Sequence, residues 1–435
     1  MANYLFMSAP VTGHVHPVLP IAGFLVEAGH QVVWITGRKY QSKVERTGAR
    51  FHPLPEAMDP KEQEPYDFYP ALRKLKGTAQ IKYYIKHVFL DNSGLEMEAI
   101  NQVLEFFPAD VLVGDTVTLG LYYKAQLAGM PSLCHSLLPL SIPSRDTAPF
   151  GLGLLPGKGM IASFRNRLLN YLINQVAFAD VNRYMNQVRQ QHGLAPYRLP
   201  FFRSMFDLPT ITCHLAPTSF EYHRSDLPGS IHFVGPVFPP AEADLVLPHW
   251  WDELQTNRPV VLINQGTMAT DTADLIEPAI EALQDEDVLV IALPVKPGKL
   301  SNLPSNVRTA SYIPFAKLLP HVDLMVTNGG YGGTQFALSH GIPLVVAGGK
   351  EDKMEVAARV EWSGAGINLR KHQPAPDTIR LAVRRVLNDP SYRQQARRLQ
   401  QDMARYHAPS QIAQLLEQLS KAVPAYRSAS KSEGN

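Results

Sequence analysis

Two side chains at the ends of apolar, β-like runs are well placed to move a proton. His14 follows the run Tyr4 to Ala9, within Pro10-Val11-Thr12-Gly13-His14-Val15-His16-Pro17. Asp115 closes the short buried run that begins at Asp110. A carboxylate beside an imidazole fixes its tautomer and stabilises the imidazolium that forms when it accepts a proton. Each residue also has a plainer reading. A lone histidine is most often a hydrogen-bonded structural residue, and Asp115, followed by Thr116-Val117-Thr118, can cap the next helix. His14 and His16 make a His-x-His pair, but no third ligand with metal-site spacing accompanies it.

A second group lies between Leu324 and Leu369. The run Leu324 to Thr327 reads as a buried strand, and Asn328-Gly329-Gly330-Tyr331-Gly332-Gly333 follows, with four glycines in six positions. Glycine has no Cβ, so the chain can turn sharply and bring N–H groups against a ligand. Thr334 to His340 then reads as a helix. Strand, Gly-rich turn and helix N-terminus together form an anion site suited to phosphate. Ile342 to Ala347 is another strand-like run, ending in Gly348-Gly349-Lys350-Glu351-Asp352. Carboxylates beside a phosphate site suit sugar hydroxyls, which donate to them. Taken alone, the Glu351-Asp352 pair is a solvated loop.

These segments resemble the family 1 glycosyltransferases, the UDP-glycosyltransferase superfamily, close to its bacterial macrolide and flavonoid members. The family's donor motif, His-Gly-Gly-x-Asn-Ser-x-x-Glu-Ala-Leu, then Gly-x-Pro and Asp-Gln, is matched in spacing by Asn328 to Gly333, Phe336-Ala337-Leu338, Gly341-Ile342-Pro343 and Glu351-Asp352. Gly13-His14-x-x-Pro17 with Gly29-His30 resembles its first motif. The resemblance implies a GT-B fold: two Rossmann-like α/β domains facing across a cleft, with the acceptor in the first and the nucleotide sugar in the second. It makes His14 the general base and Asp115 its partner. It assigns the donor to Gly266 and Thr267 at the diphosphate and to Tyr312, Ile313 and Phe315 at the base. Asn328, Gly329, Gly330, Gly332, Gly333, Thr334, Gln335, Glu351 and Asp352 complete that set. No metal or separate cofactor is implied, since the nucleotide sugar is a co-substrate.

The departures bear on the donor. Phe336 stands where the family has a glutamate that accepts from the ribose hydroxyls, and Phe336 cannot do so. A 2′-deoxyribose loses less from that change, so a dTDP-sugar such as dTDP-rhamnose competes with UDP-glucose. Gln335, one residue earlier, could restore a ribose contact. The expected reaction is inverting, metal-independent transfer to a hydroxyl of a small lipophilic acceptor such as a flavonoid, phenol or polyketide. A GT-B-fold sugar-nucleotide epimerase and a non-catalytic sugar-nucleotide-binding protein are the alternatives.

The elements that must hold these residues read as two α/β halves. The βαβ pattern of strand, helix from Val18 to Glu27 and strand from Gln31 to Thr36 calls for a parallel sheet. Such sheets bind ligands at the C-terminal ends of their strands. The expected layout is an acceptor domain over 1–236, a Pro-rich linker over 237–248 and a donor domain over 249–408. A last helix over 409–426 crosses back, and 427–435 is a disordered tail. Tyr66, Phe68, Tyr69, Tyr83, Tyr84 and Phe89 either pack a core or line a pocket for a flat, apolar acceptor. At 435 residues, 45% hydrophobic, with 41 basic against 39 acidic residues, the chain suits two globular domains and no nucleic-acid partner. Two cysteines exclude a disulfide framework and point to the cytoplasm. No apolar run reaches the ~18 residues of a membrane span.

Overall fold

The computed structural model describes the chain except residues 62, 64, 158, 240–246, 267, 268, 270, 295–299, 301, 350, 351 and 433–435, and the side chains of 65, 66 and 423–432. Its described strands form two parallel sheets, one of seven strands and one of six. In the first sheet the strands are β1 (Asn3–Met7), β2 (Gln31–Thr36), β3 (Arg50–Pro53), β4 (Val111–Asp115), β5 (Ser132–Ser136), β6 (Ile211–His214) and β7 (Ile231–Phe233), in the order β3-β2-β1-β4-β5-β6-β7. The second sheet contains β8 (Val260–Asn264), β9 (Leu289–Leu293), β10 (Val307–Thr309), β11 (Leu324–Thr327), β12 (Leu344–Val346) and β13 (Gly366–Asn368), in the order β10-β9-β8-β11-β12-β13. Helical crossovers cover both faces of such sheets, so the strands carry unbroken apolar runs and no polar alternation. Leu5, Phe6 and Met7 in β1 and Leu324, Met325 and Val326 in β11 are all fully buried.

The register sets up the functional edges. Leu5 pairs with Val33 of β2 on one side and with Leu112 of β4 on the other. The strand order therefore reverses between β1 and β4, and likewise between β8 and β11. At such a reversal the following loops diverge to opposite faces and leave a crevice. His14 and Asp115 leave the first crevice; Gly266 and the Asn328-Gly329 turn leave the second.

Several boundaries differ from expectation. The short edge strands β3 and β13 lack a long apolar run and were not anticipated. Helix begins inside the histidine motif, at Thr12–Val15, and passes through His16–Val18 into Leu19–Glu27. The donor-side helix is Tyr331–Ser339, so Gly332 and Gly333 occupy its first turn instead of preceding it. The last helix runs from Ala408 to Ser432, where a disordered tail from Arg427 was expected. Extending an existing helix gains one hydrogen bond per residue ordered. Residues 240–246 of the expected linker lie outside the described residues.

Each half lends an element to the other. Ala216 and Phe220, just after β6, pack in the core of the second sheet with Leu262, Met325 and Tyr331. Ile412, Leu416 and Leu419 of the last helix pack in the core of the first, with Ala22 and Leu25.

Candidate active site

The pairing of β1 with β4 brings the first turn of helix after β1 against the end of β4. His14 Nδ1 lies 2.8 Å from Asp115 Oδ2. Oδ2 also accepts the Ala9 N–H at 3.1 Å, and Oδ1 accepts the N–H groups of Val117 and Thr118 at 2.9 and 3.1 Å. Asp115 therefore pairs with the histidine and holds the turn at Val117 and Thr118, but it does not cap the next helix, Leu119–Ala128, whose N-cap is Thr118 with no side-chain cap bond. With Asp115 fully buried and acceptor-only, Nδ1 carries the proton and Nε2 keeps a lone pair for a substrate. The His14 side chain is 16% exposed, enough to meet a ligand.

Burial alone would push the His14 imidazole down. The charge of Asp115, its hydrogen bond and the charge of Asp352 outweigh this and raise it above 6.5. For Asp115, burial opposes the charge, but His14, through its charge and hydrogen bond, and the Ala9 N–H hold the carboxyl down to about 2. Asp352 belongs to the second domain, so the charge it presents to His14 acts across the cleft. His16 plays no part in this pair. Its Nε2 meets Lys43 Nζ at 2.9 Å, and burial and that lysine push it down to about 4. Among the described residues no group of three His, Cys, Asp or Glu is arranged to hold a metal ion. His135, paired across β4 and β5 with Asp115, is 1% exposed and neither ring nitrogen has a hydrogen-bond partner among the described residues. Burial keeps it neutral, pushed down to about 4.

A cavity of about 570 Å³ opens beside His14. Phe68, Tyr69, Tyr84 and Phe89 line it, so the aromatic cluster is in part a pocket wall. The polar groups on its wall include Lys39, Asn92 and Glu96. The helical region 160–191 contributes nothing to that wall. In helix Gly159–Tyr171, Asn166 is buried, and Asn170 Nδ2 donates to the carbonyls of Ser144 and Thr147. Met160, Ile161 and Phe164 are instead 90%, 88% and 69% exposed. A further hollow of about 560 Å³, lined by Thr256, Asp287 and Asp323, sits where β8, β9 and β11 begin, at the edge of the sheet away from the cleft.

Of the expected donor residues, Gly266 follows β8 and Asn328 to Gln335 follow β11, at the second crevice. Gly329 has φ +88°, and a Cβ there would fall 2.9 Å from Val346 Cγ1. Gly330 is the N-cap of helix Tyr331–Ser339, and the first intrahelical bond is Thr334 N–H to the Gly330 carbonyl at 2.9 Å. The N–H groups of Tyr331, Gly332 and Gly333 precede that bond, as at any helix N-terminus. A Cβ on Gly332 would meet nothing within 4 Å, so that turn is open to a ligand. Asn328 was expected in the donor set, but its Nδ2 donates to the Gln265 carbonyl and ties the two loops together. Gln335 turns away from a ribose: its Nε2 donates to Leu215 O of the first domain at 3.1 Å. Thr334 and Ile313 are buried, Ile313 in the core of the second sheet, so its side chain is out of reach of a base. Tyr312 is 57% exposed, and Phe315 packs 5.8 Å from Phe336, which stacks at 4.3 Å on Phe238. Gly266 adopts φ +78° beside Asn328. Asp352 is the N-cap residue of helix Lys353–Ser363. Thr267 and Glu351 lie outside the described residues.

A buried ionic cluster that no sequence motif announced holds the two sites in register. Glu221 Oε1 accepts Arg359 Nε at 2.9 Å and the Leu140 N–H at 3.1 Å, and its Oε2 accepts Arg359 Nη2 at 2.9 Å. Arg359 Nη1 donates to Glu355 Oε2 at 3.1 Å, and Glu355 Oε1 takes the N–H groups of Gly151 and Gly153 at 2.9 and 2.8 Å. Burial opposes the Glu221 charge, but Arg359, His214 and Arg224 hold its carboxyl well below the usual range. Arg359 and Glu355 sit on the helix that begins at Asp352. That helix is therefore bolted to the first domain, and the charge of Asp352 at its start reaches His14.

Known proteins fit this geometry. Residues 277–419 match the model of the erythromycin biosynthesis protein CIII-like C-terminal domain. The chain is 42% identical to 4'-demethylrebeccamycin synthase of Lentzea aerocolonigenes, over 96% of this chain and 99% of that one. It is 33% identical to UDP-glycosyltransferase 2 of Phaeomoniella chlamydospora, over 97% and 96% respectively. Among solved structures, the glycotransferase of kitacinnamycin superposes with a TM-score of 0.74 at 22% identity, over 96% of this chain and 98% of that one. With two Rossmann-like sheets, a His-Asp pair at one switch point and a glycine-rich helix start at the other, the chain belongs to the UDP-glycosyltransferase superfamily and is a GT-B glycosyltransferase.

Proposed function

We propose that this protein transfers a sugar from a nucleoside diphosphate sugar to a hydroxyl of a small lipophilic natural product, with inversion at the anomeric carbon. The observation that carries this reading is the His14–Asp115 contact at 2.8 Å, opening onto the apolar cavity on one side and facing Asp352 on the other. The acceptor hydroxyl gives its proton to His14 Nε2 as its oxygen attacks the anomeric carbon from the face opposite the leaving diphosphate. Asp115 stabilises the imidazolium. The unpaired N–H groups of the Tyr331–Ser339 helix meet the charge that grows on the diphosphate, so the reaction needs no metal. Asp352 receives the hydroxyl donors of the sugar.

UDP-glucose and a dTDP-sugar such as dTDP-rhamnose remain the two donor classes. Phe336, stacked on Phe238, offers no acceptor to a ribose, and Gln335 spends its amide on Leu215. Both features favour tolerance of a 2′-deoxyribose. Nucleotide release from a panel of UDP- and dTDP-sugars, with a hydroxyflavonoid or simple phenol as acceptor, tests the reading. Acceptor-dependent release that disappears in His14→Ala supports it. Release that survives this change makes His14 structural and refutes the mechanism. Turnover of UDP-glucose far above any dTDP-sugar would refute the deoxyribose argument.

A further inference from the structure

Glu96 lies on the wall of the cavity beside His14, on the helix Ser93–Phe106, and is 5% exposed. A carboxyl group in an apolar, aromatic-lined cavity needs a partner for each oxygen. Its Oε2 has one: the Gly120 N–H donates to it at 2.6 Å. Gly120 makes this approach possible, since a Cβ there would fall 2.2 Å from the Ser93 carbonyl oxygen and 2.8 Å from Glu96 Oε2. No protein group among the described residues hydrogen-bonds Oε1.

We propose that Glu96 is the polar anchor of the acceptor cavity and that it selects neutral aglycones carrying a carbonyl oxygen, as in a ketone, lactam or imide, which accepts the O–H of the Glu96 carboxylic acid. This rests on the cavity being the acceptor site. Glu96 holds its proton more strongly than a free carboxyl for a physical reason. Burial drives its carboxyl well above the usual carboxylate range, the Gly120 N–H only partly offsets this, and the charge of Asp115 adds to it. Among the described residues no cation pulls it back. The acid thus has a proton to donate, unlike the ionised Asp115 close by. An aglycone held at its carbonyl by Glu96 and by its ring against Phe68 and Tyr84 presents a separate hydroxyl to His14. One cavity then contains both the base that activates the nucleophile and the acid that sets which molecule brings it.

The test is equilibrium binding of 7-hydroxyflavanone and 7-hydroxyflavan, which differ by the C4 carbonyl, measured by fluorescence titration of the full-length protein. The wild type is expected to bind the flavanone at least about tenfold more tightly, the factor that one charge-free hydrogen bond of ~1.4 kcal/mol supplies. Glu96→Leu, which cannot donate, should erase that preference while leaving flavan affinity within about twofold. Glu96→Gln, whose amide can accept from Gly120 and donate to the carbonyl, should keep it. Equal affinities for the two compounds in the wild type, a preference that survives Glu96→Leu, or no binding of either compound overturns the assignment. Binding needs neither donor nor turnover, so a failure here is separate from failure of the glycosyl-transfer reading, which nucleotide release by His14→Ala decides.

Discussion

Asp115 carries two duties on one carboxylate: Oδ1 holds the turn at Val117 and Thr118, and Oδ2 holds His14. Asparagine has only one oxygen, and its NH2 would confront either the Val117 and Thr118 N–H groups or, the other way round, the Ala9 N–H and the His14 Nδ1–H. Asp115→Asn should therefore lower kcat by about 10²–10⁴, the range expected for loss of base catalysis. His14 acts as a base only when neutral, and its affinity for a proton is raised above 6.5 by Asp115 and Asp352 against the effect of burial. The acid limb of kcat/KM should thus lie above pH 6.5 in the wild type and move to lower pH in Asp115→Asn; an unmoved limb counts against the pair. Stability follows the opposite signs for the two partners. Raised His14 contributes stabilisation that is fully present below its unfolded value of 6.5 and is lost as pH climbs through its folded value. Asp115, held down to about 2 from 3.8, contributes stabilisation present above 3.8 and lost as pH falls towards 2. Thermal melts of wild type and Asp115→Asn between pH 2 and 5 should converge at the acid end.

At the scale of single elements, the two ends of the glycine-rich turn do different jobs. Gly329 needs its left-handed backbone and has no room for a Cβ beside Val346, so Gly329→Ala should destabilise the fold by about 1–3 kcal/mol. Gly332 sits in the open first turn of a helix with nothing within 4 Å of an added Cβ. Gly332→Ala should leave the melting temperature within about a degree or two, since alanine suits helices better than glycine. If the donor diphosphate binds at this helix start as proposed, the added methyl stands against it and nucleotide affinity should fall. Calorimetric titration with UDP and dTDP separates these outcomes, and unchanged nucleotide binding in Gly332→Ala would remove that turn from the donor site. Helix Lys353–Ser363 has its own anchor. Arg359→Ala leaves Glu221 buried without its main partner, a loss of about 3–5 kcal/mol in urea unfolding. Lysine at 359 cannot make the forked contact to Glu221 and should restore only part of it.

The whole molecule is two sheets that cannot be cut apart cleanly. Phe220 of the first half is fully buried in the second core, and Leu416 from the end of the chain is fully buried in the first. Thermal unfolding should accordingly be a single cooperative transition, with calorimetric and van't Hoff enthalpies in agreement. Two resolved transitions would show that the exchanged elements are peripheral. Removing 408–435 uncovers Ala22 and Leu25 together with the packed face of the last helix, and should abolish cooperative folding of the first domain.

Read along the chain, the local chemistry was legible because it depends on neighbours in sequence. Apolar runs buried on both faces declared parallel strands, Gly-rich turns declared their helix starts, and spacing tied His14, Asp115 and the 328–352 segment to one family. Helix and tail boundaries were less legible, since capping and propagation are decided by a few tenths of a kcal/mol per residue. Other features had no local signature at all. Glu221, Arg359 and Glu355 look like ordinary surface charges in sequence; Glu355 and Arg359 meet one turn apart on a single helix, and the domain interface brings Glu221, 138 positions from Arg359, into the interior with them. Gln335 could have faced a ribose, and only the position of the Leu215 carbonyl across that interface turned it inward. Nearest-neighbour pattern determined most of the strands and turns, and motif resemblance singled out His14 and Asp115; long-range packing alone brought those two side chains together and decided which charges are buried and which carboxyl burial pushes up.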